Sequence, residues 1–395
     1  MAAASDEGRA LTPPVRQLLS DIDDLLFDCW DLGANIILVW TRHQDEYLFL
    51  AVRHYMILES FEGDPARAGD GNVDAGFINR ILAGPRCVPL ETLEHIRHVL
   101  GRKSRIVRRK ITQAELPVDA LLTRLVARYS VSLVPQRAVA LLDVVDFSLR
   151  SSLEQVAMLN SMSYSLNSAY RQLMMKDVEI NFARTTTGDG FYIWNRTRKI
   201  EGNIDLYKLV SLILADNAVA RRKAKSFPVP ELRAAFDVGE HYEFYQVEGL
   251  NPTTFGYIVG QVTIKLARLV EQARPGQILL GDFEIDMGSG HDSGTRHCGT
   301  PGFVEMAAKS LDQLRGLEIA GDEISGMSCY LTGEGRPGRG FQVNRYELRD
   351  KHGLVHVAYN AKINIHRRTA GPIFLGIQHR DLHPPAGQPW PASAA

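Results

Sequence analysis

The amino-acid pattern predicts an α+β fold, on three observations. An apolar run, Arg137-Ala-Val-Ala-Leu-Leu-Asp143, ends on a carboxylate and reads as a buried strand with Asp143 at its exposed end. Ser151 to Met174 carries a long helical run, and Thr187-Gly188-Asp189-Gly190, between Phe182 and Trp194, reads as a hairpin turn. Phe341 to His366 alternates with period two around Asp350-Lys-His-Gly353, which predicts a second hairpin.

The first strand and hairpin also carry the candidate chemistry, because they bring Asp143 and Asp189 to adjacent strand ends. Hard divalent cations take oxygen ligands and bridge them to substrate phosphates. In a two-metal site, with the ions roughly 4 Å apart, one ion activates the attacking oxygen and the other stabilises the leaving one. Taken singly, an Asp ending a strand and an Asp in a Gly turn also fit ordinary turn chemistry.

Composition sets the bounds. A chain of 395 residues, 45% hydrophobic and 23% charged, is long enough for two or three domains and ordinary for a globular protein. The formal charge of −1 gives no electrostatic case for nucleic acid or an anionic membrane as partner. Cys29, Cys87, Cys298 and Cys329 stand far apart without metal-ligand spacing and read as reduced thiols. No stretch reaches about 18 uncharged apolar residues. Asn35–Trp40 and Tyr47–Val52 come nearest, separated by Arg42, His43, Asp45 and Glu46. A cytoplasmic location is expected.

Residues 1–130 read as a mainly helical region. Val15–Phe27 and Leu90–Leu100 space their apolar residues at three and four, and Asp119–Arg128 is a short amphipathic helix. Gly63–Gly76 reads as a loop, and the basic run Arg102–Lys110 as a solvated helix face rather than a nucleic-acid contact. After Met174, Ile204–Val219 reads as a buried helix, Leu232–Val238 as a strand with Glu243–Val247 as its hairpin mate, and Gly260 onward as a helix carrying Arg268. Gly288–Gly302 reads as a flexible segment before a short helix, Val304–Leu314. Residues 288–320 are thus expected to be a linker with a short helix, 321–383 a small β-rich domain and 384–395 a disordered tail. His352, His356 and His366 on the last hairpin read as surface residues.

Several of these pieces resemble the class III nucleotidyl cyclases. Leu142-Asp143-Val144-Val145-Asp146-Phe147-Ser148 resembles the family's first metal motif and Thr187-Gly188-Asp189-Gly190 its second. Phe236-Asp237-Val238-Gly239-Glu240 is similar to a glycine-bearing strand of the family, and Gly260 to Leu269 to its Gly-to-Arg helix, followed by Ala273 to Leu280. The match covers roughly residues 135 to 285, and 131–287 is read as the cyclase domain. The C-terminal hairpin resembles the β-rich tail of bacterial defence cyclases of the Pycsar type.

The resemblance implies a ferredoxin-like cyclase domain, helices on one face of a mostly antiparallel sheet, with the N-terminal helical region and the C-terminal β-rich domain attached. It implies a head-to-tail homodimer whose two sites lie at the interface. Asp143, Asp189 and the Val144 carbonyl would ligate two divalent ions, Mn2+ or Mg2+, while main-chain amides around Phe147 and Ser148 hold the triphosphate. Arg268 would be the transition-state arginine. Thr185 and Tyr257 stand at the base-selecting positions, with Arg184 beside them, and neither the Lys/Asp code of adenylyl cyclases nor the Glu/Cys code of guanylyl cyclases is present.

The bulk of Tyr257 predicts a pyrimidine substrate, UTP or CTP, and the resemblance of the tail to Pycsar-type cyclases implies that the cyclic product is a second messenger that activates a separate effector in antiphage defence. A purine cyclase and a catalytically degenerate nucleotide sensor are the alternatives. Two departures from the family stand out: Asp146 where it has Gly, and Ile264 where it has Asn, for which Thr263 or Lys265 would have to substitute.

Overall fold

The computed structural model describes residues 12–58, 75–111, 118–176, 178, 180–197, 199–225, 228–247, 254–289, 295–335, 341–350 and 352–382. The expected loop at Gly63–Gly76 falls mostly outside these residues, and the expected tail 384–395 entirely so. The chain divides into two compact units, one of residues 1–134 and 242–258, the other of residues 135–241 and 259–395.

The first unit contains α1 (Pro13–Trp30), β1 (Asn35–His43), β2 (Glu46–Arg53), α2 (His54–Leu58), α3 (Ala75–Ala83), α4 (Leu90–Leu100), β3 (Ser104–Lys110) and α5 (Asp119–Ala127). Helices supply most of its regular structure, but β1, β2 and β3 form an antiparallel sheet in that order, which the sequence reading did not expect. The two apolar runs that came nearest to a membrane span are the β1–β2 hairpin. They read as continuous rather than alternating because both faces of the sheet are covered. Ile36, Leu38, Leu48 and Leu50 bury against Ile78, Leu93 and Ile96, while Ile37, Trp40, Tyr47 and Phe49 bury against Leu18, Ile22 and Leu122. A register shift between Ile37 and Val39 sends Val39 to the same face as Leu38.

The basic run is strand β3, not a helix. Arg105, Arg108 and Lys110 are exposed, and Arg109 pairs with Asp21 (Nη2 to Oδ2 2.7 Å).

The second unit is built on β4 (Val131–Val144), α6 (Ser152–Met174), β5 (Phe182–Thr186), β6 (Gly190–Asn195), α7 (Ile200–Lys223) and β7 (Leu232–Val247). The four strands lie in the order β7-β4-β6-β5, and this βαββαβ succession with that order is the ferredoxin-like core. Strand β7 runs unbroken from Leu232 to Val247, where a strand and its hairpin mate were expected; its pairing partner is β8 (Thr254–Val259). After α8 (Gln261–Gln272), β9 (Ile278–Gly281) lies parallel to β7.

Further along, β10 (Glu284–Ser289) pairs with β11 (Thr295–Gly299), and α9 (Thr300–Leu311) follows. Of the segment expected to be flexible, Gly288–Gly302, the described residues belong to β10, β11 and α9, and 290–294 lie outside the described residues. Strands β12 (Glu318–Ile319), β13 (Asp322–Leu331), β14 (Gly333–Gly335), β15 (Phe341–Val343), β16 (Arg345–Arg349), β17 (Val355–Arg367) and β18 (Ile373–Leu375), then α10 (His379–Leu382), complete it. The hairpin expected at Asp350–Gly353 is β16–β17.

The β-rich C-terminal part is not a separate domain, because β17 is laddered onto β9 (Tyr359 opposite Leu280) and so extends the central sheet. One apolar core runs through both parts: Met162, Leu166, Ile213, Phe236, Phe303, Ile324 and Ile363 are all buried in it. Helices α6, α7 and α9 cover that face. Helix α8 covers the other: Lys265 reaches Asp237, whereas the neighbouring Phe236 packs against Tyr207. Helices thus occupy both faces, where one was expected.

Candidate functional site

Strand β4 ends where the sequence places its acid. Asp143 stands opposite Gly190 of β6, and the Val144 N–H donates to the Asp189 carbonyl at 3.1 Å, so the turn carrying Asp189 is stitched to the end of β4. Close approach at this point requires glycine, since a Cβ on Gly190 would stand 2.0 Å from the Leu142 carbonyl oxygen. Within the turn, the Gly188 N–H donates to Thr186 Oγ1 and Thr187 Oγ1 donates to Asp189 Oδ1 at 3.1 Å. The two acids expected to converge are thus held on adjacent chain segments.

Asp143 is buried, and Asp189 is half-buried. Burial pushes the Asp143 carboxyl above its usual range; the guanidinium of Arg233 opposes that rise, and the charge of Asp189 adds to it. Arg233, on β7, donates from Nε to Asp143 Oδ2 at 2.6 Å and from Nη1 to the Ala273 carbonyl at 3.4 Å. It is the resident countercharge of the site. Among the described residues no group of three or more His, Cys, Asp or Glu could hold a metal by itself. The donor set is a pair of carboxylates and a strand-end carbonyl, all hard oxygens of the kind Mg2+ or Mn2+ takes together with substrate phosphates, and in that chemistry the residues fit.

A competing cation has a measurable consequence. Replacing Arg233 by Gln removes the partner of Asp143 Oδ2, a charge-assisted bond worth about 1.5–3 kcal/mol. The R233Q protein is expected to melt lower without metal and to bind Mn2+ about tenfold more tightly than wild type, read from the melting temperature against Mn2+ concentration. Equal Mn2+ affinity in the two proteins would show that Arg233 and the metal do not share that oxygen.

Beyond Asp143 the chain turns through Asp146, which is exposed and left-handed (φ 54°, ψ 29°). This is a conformation that glycine adopts freely and Asp tolerates. A short 3-10 turn, Phe147–Leu149, follows. The amides of Val145, Leu149 and Arg150 are taken by the carbonyls of Glu231, Asp146 and Phe147. Those of Asp146, Phe147 and Ser148 meet no acceptor among the described residues, as expected at the start of a helical turn. The start of α6 itself is closed to anions. Ser151 and Glu154 form a capping box there, with Glu154 Oε2 accepting the Ser151 N–H at 2.9 Å. Phe147 is partly buried against the core, and Ser148 is exposed.

The remaining expected site residues lie elsewhere. Thr185 is half-buried on β5, opposite Tyr192, and Arg184 lies over the Phe191 ring at 5.8 Å. Tyr257, on β8, is 37% exposed and stacks on Phe244, with ring centroids 5.6 Å apart. Arg268 projects from α8 to Glu271 (Nη1 to Oε2 3.2 Å) and Asp350 (Nε to Oδ2 3.5 Å). Neither Asp143 nor Asp189 is among its partners.

Ile264, one turn before Arg268, is exposed, and neither neighbour substitutes for the missing Asn. Thr263 is buried and donates back to the Gly260 carbonyl (2.8 Å). Lys265 binds Asp237 Oδ2 (3.0 Å) and the Asp282 carbonyl (2.7 Å), against a carboxyl that burial raises to about 6.

Sequence reasoning passed over two residues of this region. Arg233 is a charge inside an apolar strand, Leu232-Arg-Ala-Ala-Phe-Asp-Val238, on the same face as Asp237, which is the signal that marks a buried partner. Tyr192 donates to the Thr263 carbonyl at 3.0 Å and ties β6 to α8; nothing in its sequence context distinguishes it from a strand aromatic.

No protein-family model and no curated protein sequence matches the chain. Among solved structures, it is similar to the guanylyl cyclase Cya2 (12% identity over 58% of this chain and 92% of that one, TM-score 0.34). It is also similar to the adenylyl cyclase CyaB from P. aeruginosa (12% over 64% and 100%, TM-score 0.33). A third is the guanylate cyclase domain of RhGC from Catenaria anguillulae in complex with GTP (14% over 42% and 95%, TM-score 0.30). Likenesses this distant identify neither an activity nor a substrate.

Proposed function

We propose that the protein is a nucleotide cyclase that converts a pyrimidine nucleoside triphosphate, UTP or CTP, into its 3′,5′-cyclic monophosphate and pyrophosphate. The observation that carries this reading is the pairing of Asp143 and Asp189 at the β4–β6 ladder end, beside three open amides at Asp146, Phe147 and Ser148. Carboxylates for metal next to amides for phosphate are the two halves of a nucleotide-triphosphate site.

In this reading Asp143, Asp189 and the Val144 carbonyl would hold two divalent ions, which would lower the pKa of the ribose 3′-hydroxyl and shield the triphosphate. The amides of the 146–148 turn fix the phosphate chain so that the α-phosphorus lies in line with the 3′-oxygen. Arg268 meets the charge that builds on the departing pyrophosphate, for which a guanidinium offers a fixed fork of donors.

Arg268 contacts neither acid, so the reading takes it from a second copy, in a head-to-tail homodimer with two equivalent sites. Exposed apolar side chains on α6 (Leu153, Val156, Tyr164) and at Leu149 in the turn before it are consistent with a face that another chain covers. Tyr257 and Thr185 face the base. Ring bulk at Tyr257, where a small acid would accept a purine, favours one ring over two. As a cyclase with a C-terminal β-rich extension of the defence type, the protein would signal through a separate cyclic-nucleotide-activated effector during phage infection. Among the described residues no helix is long and apolar enough to cross a membrane.

The test is incubation of the protein with Mn2+ and each of ATP, GTP, CTP and UTP, with products resolved by mass. A cyclic pyrimidine nucleotide is expected, and Tyr257→Asp is expected to shift preference toward purines by about tenfold or more. A cyclic purine from wild type would overturn the base assignment and keep the chemistry. A nucleotide sensor without turnover is the second reading, favoured by the exposed apolar Ile264 where a ribose-binding Asn is expected. It predicts nucleotide-dependent stabilisation with no cyclic product.

A further inference from the structure

Arg268 is held by two carboxylates of very different character. Glu271 is three residues along the same helix, with a side chain 40% exposed, and a pair of that kind has little orienting power. Asp350 comes from the turn between β16 and β17, and its side chain is only 2% exposed. Its Oδ1 accepts the N–H groups of His352 and Leu354, both at 2.9 Å, and its Oδ2 faces His356 Nε2 at 3.1 Å and Arg268 Nε at 3.5 Å.

The turn is itself closed by the Asp350 N–H to the Leu354 carbonyl and by Arg349 standing opposite Val355. Strand β17 is in turn laddered onto β9. The carboxylate therefore has its position set by backbone, within the same sheet that α8 packs on. These bonds, His356 first, hold the Asp350 carboxyl down at about 2, so it stays charged across the working pH range.

A guanidinium is a planar fork with five N–H donors. Here Nη1 donates to Glu271 and Nε stands 3.5 Å from Asp350 Oδ2, an ion pair rather than a hydrogen bond, while Nη2 meets no acceptor among the described residues. We propose that Asp350 is a positioning residue for Arg268: the buried carboxylate of the C-terminal hairpin turn anchors the guanidinium by its charge on the Nε side and leaves Nη2 for the pyrophosphate group of the substrate. This rests on the cyclase reading for the role of Arg268, and it gives the C-terminal strands a part in catalysis without any contact to substrate.

Asp350→Asn tests it, because the amide oxygen still accepts the two turn N–H groups while the charge facing Arg268 is lost. Unchanged melting temperature and circular dichroism confirm that the turn survives. Expected is a kcat about 10- to 100-fold lower with KM within about threefold of wild type, and no further loss when D350N is added to Arg268→Ala. An unchanged or raised kcat, or an additive loss in the Arg268→Ala background, would overturn the proposal.

A second readout does not depend on turnover. Pyrophosphate binding in the presence of Mn2+ is expected to weaken about tenfold in R268A and about as much in D350N, without summing in the double variant. If wild type forms no cyclic nucleotide, the cyclase reading falls while the pyrophosphate cycle still decides whether Asp350 acts through Arg268. Additive losses in that cycle, or none in D350N, would sink the positioning role.

Discussion

Asp189→Asn is expected to lower cyclic-nucleotide formation by about 10³-fold or more while leaving the fold intact. The amide keeps the shape of the side chain and can still accept the Thr187 hydroxyl at the position of Oδ1, but it removes half of the negative charge that draws divalent ions to the β4–β6 end. Because Asp189 is half-buried in a turn, its change should move stability by only about 0.5 kcal/mol. Turnover of the preferred triphosphate, measured beside a thermal melt, separates the two effects. A D189N protein that cycles nucleotide at more than about a tenth of the wild-type rate would remove Asp189 from the metal site.

The second large effect concerns the fold. Phe303→Ala should destabilise the protein by about 3–5 kcal/mol. Phe303 on α9 is fully buried, stacks on Phe236 of β7 (5.5 Å), and meets Tyr207 of α7 (6.0 Å) and Phe283 (5.5 Å) edge-on. Removing its ring empties the junction where the ferredoxin-like core meets the C-terminal strands. The second unit, ferredoxin-like core and C-terminal strands together, is expected to melt as one transition shifted down by roughly 10 °C. If the C-terminal part were an independent domain, that transition would itself split in two and only one of the pair would move.

The ferredoxin-like core was legible in the sequence for a physical reason. Its chemistry-bearing residues stand at punctuated positions: Asp143 closes the apolar run of β4, and Gly188 and Gly190 flank the turn that carries Asp189. The β16–β17 hairpin was legible for the same cause, as alternation around a Gly turn. Where two faces are covered, alternation disappears. The β1–β2 hairpin then looks like a buried apolar run of unspecified type, and β3, with its arginines, looks like a polar helix. Longer-range pairing was not legible at all. Nothing local in Tyr359 or Leu280 says that β17 joins β9, so the extension of the sheet was read as a separate domain.

The site divides along the same line. Asp143 and Asp189 are each marked by a local signal, a strand end and a Gly turn, and the pairing of β4 with β6 brings them together. Arg233, Asp350 and the burial of Thr263 depend on contacts across the sheet, and sequence spacing does not encode them. Arg268 was identified as a residue, but its partners were not.

The most direct test mixes two inactive variants, Asp189→Ala and Arg268→Ala, under conditions where subunits exchange. Each alone lacks one half of every site. The account predicts that each alone turns over the preferred triphosphate at about a hundredth of the wild-type rate or less, and that an equal mixture recovers about a quarter of it, since half of the dimers then carry one complete site. A silent mixture beside an active wild type would contradict a site shared between two copies, and an active R268A alone would remove Arg268 from the chemistry.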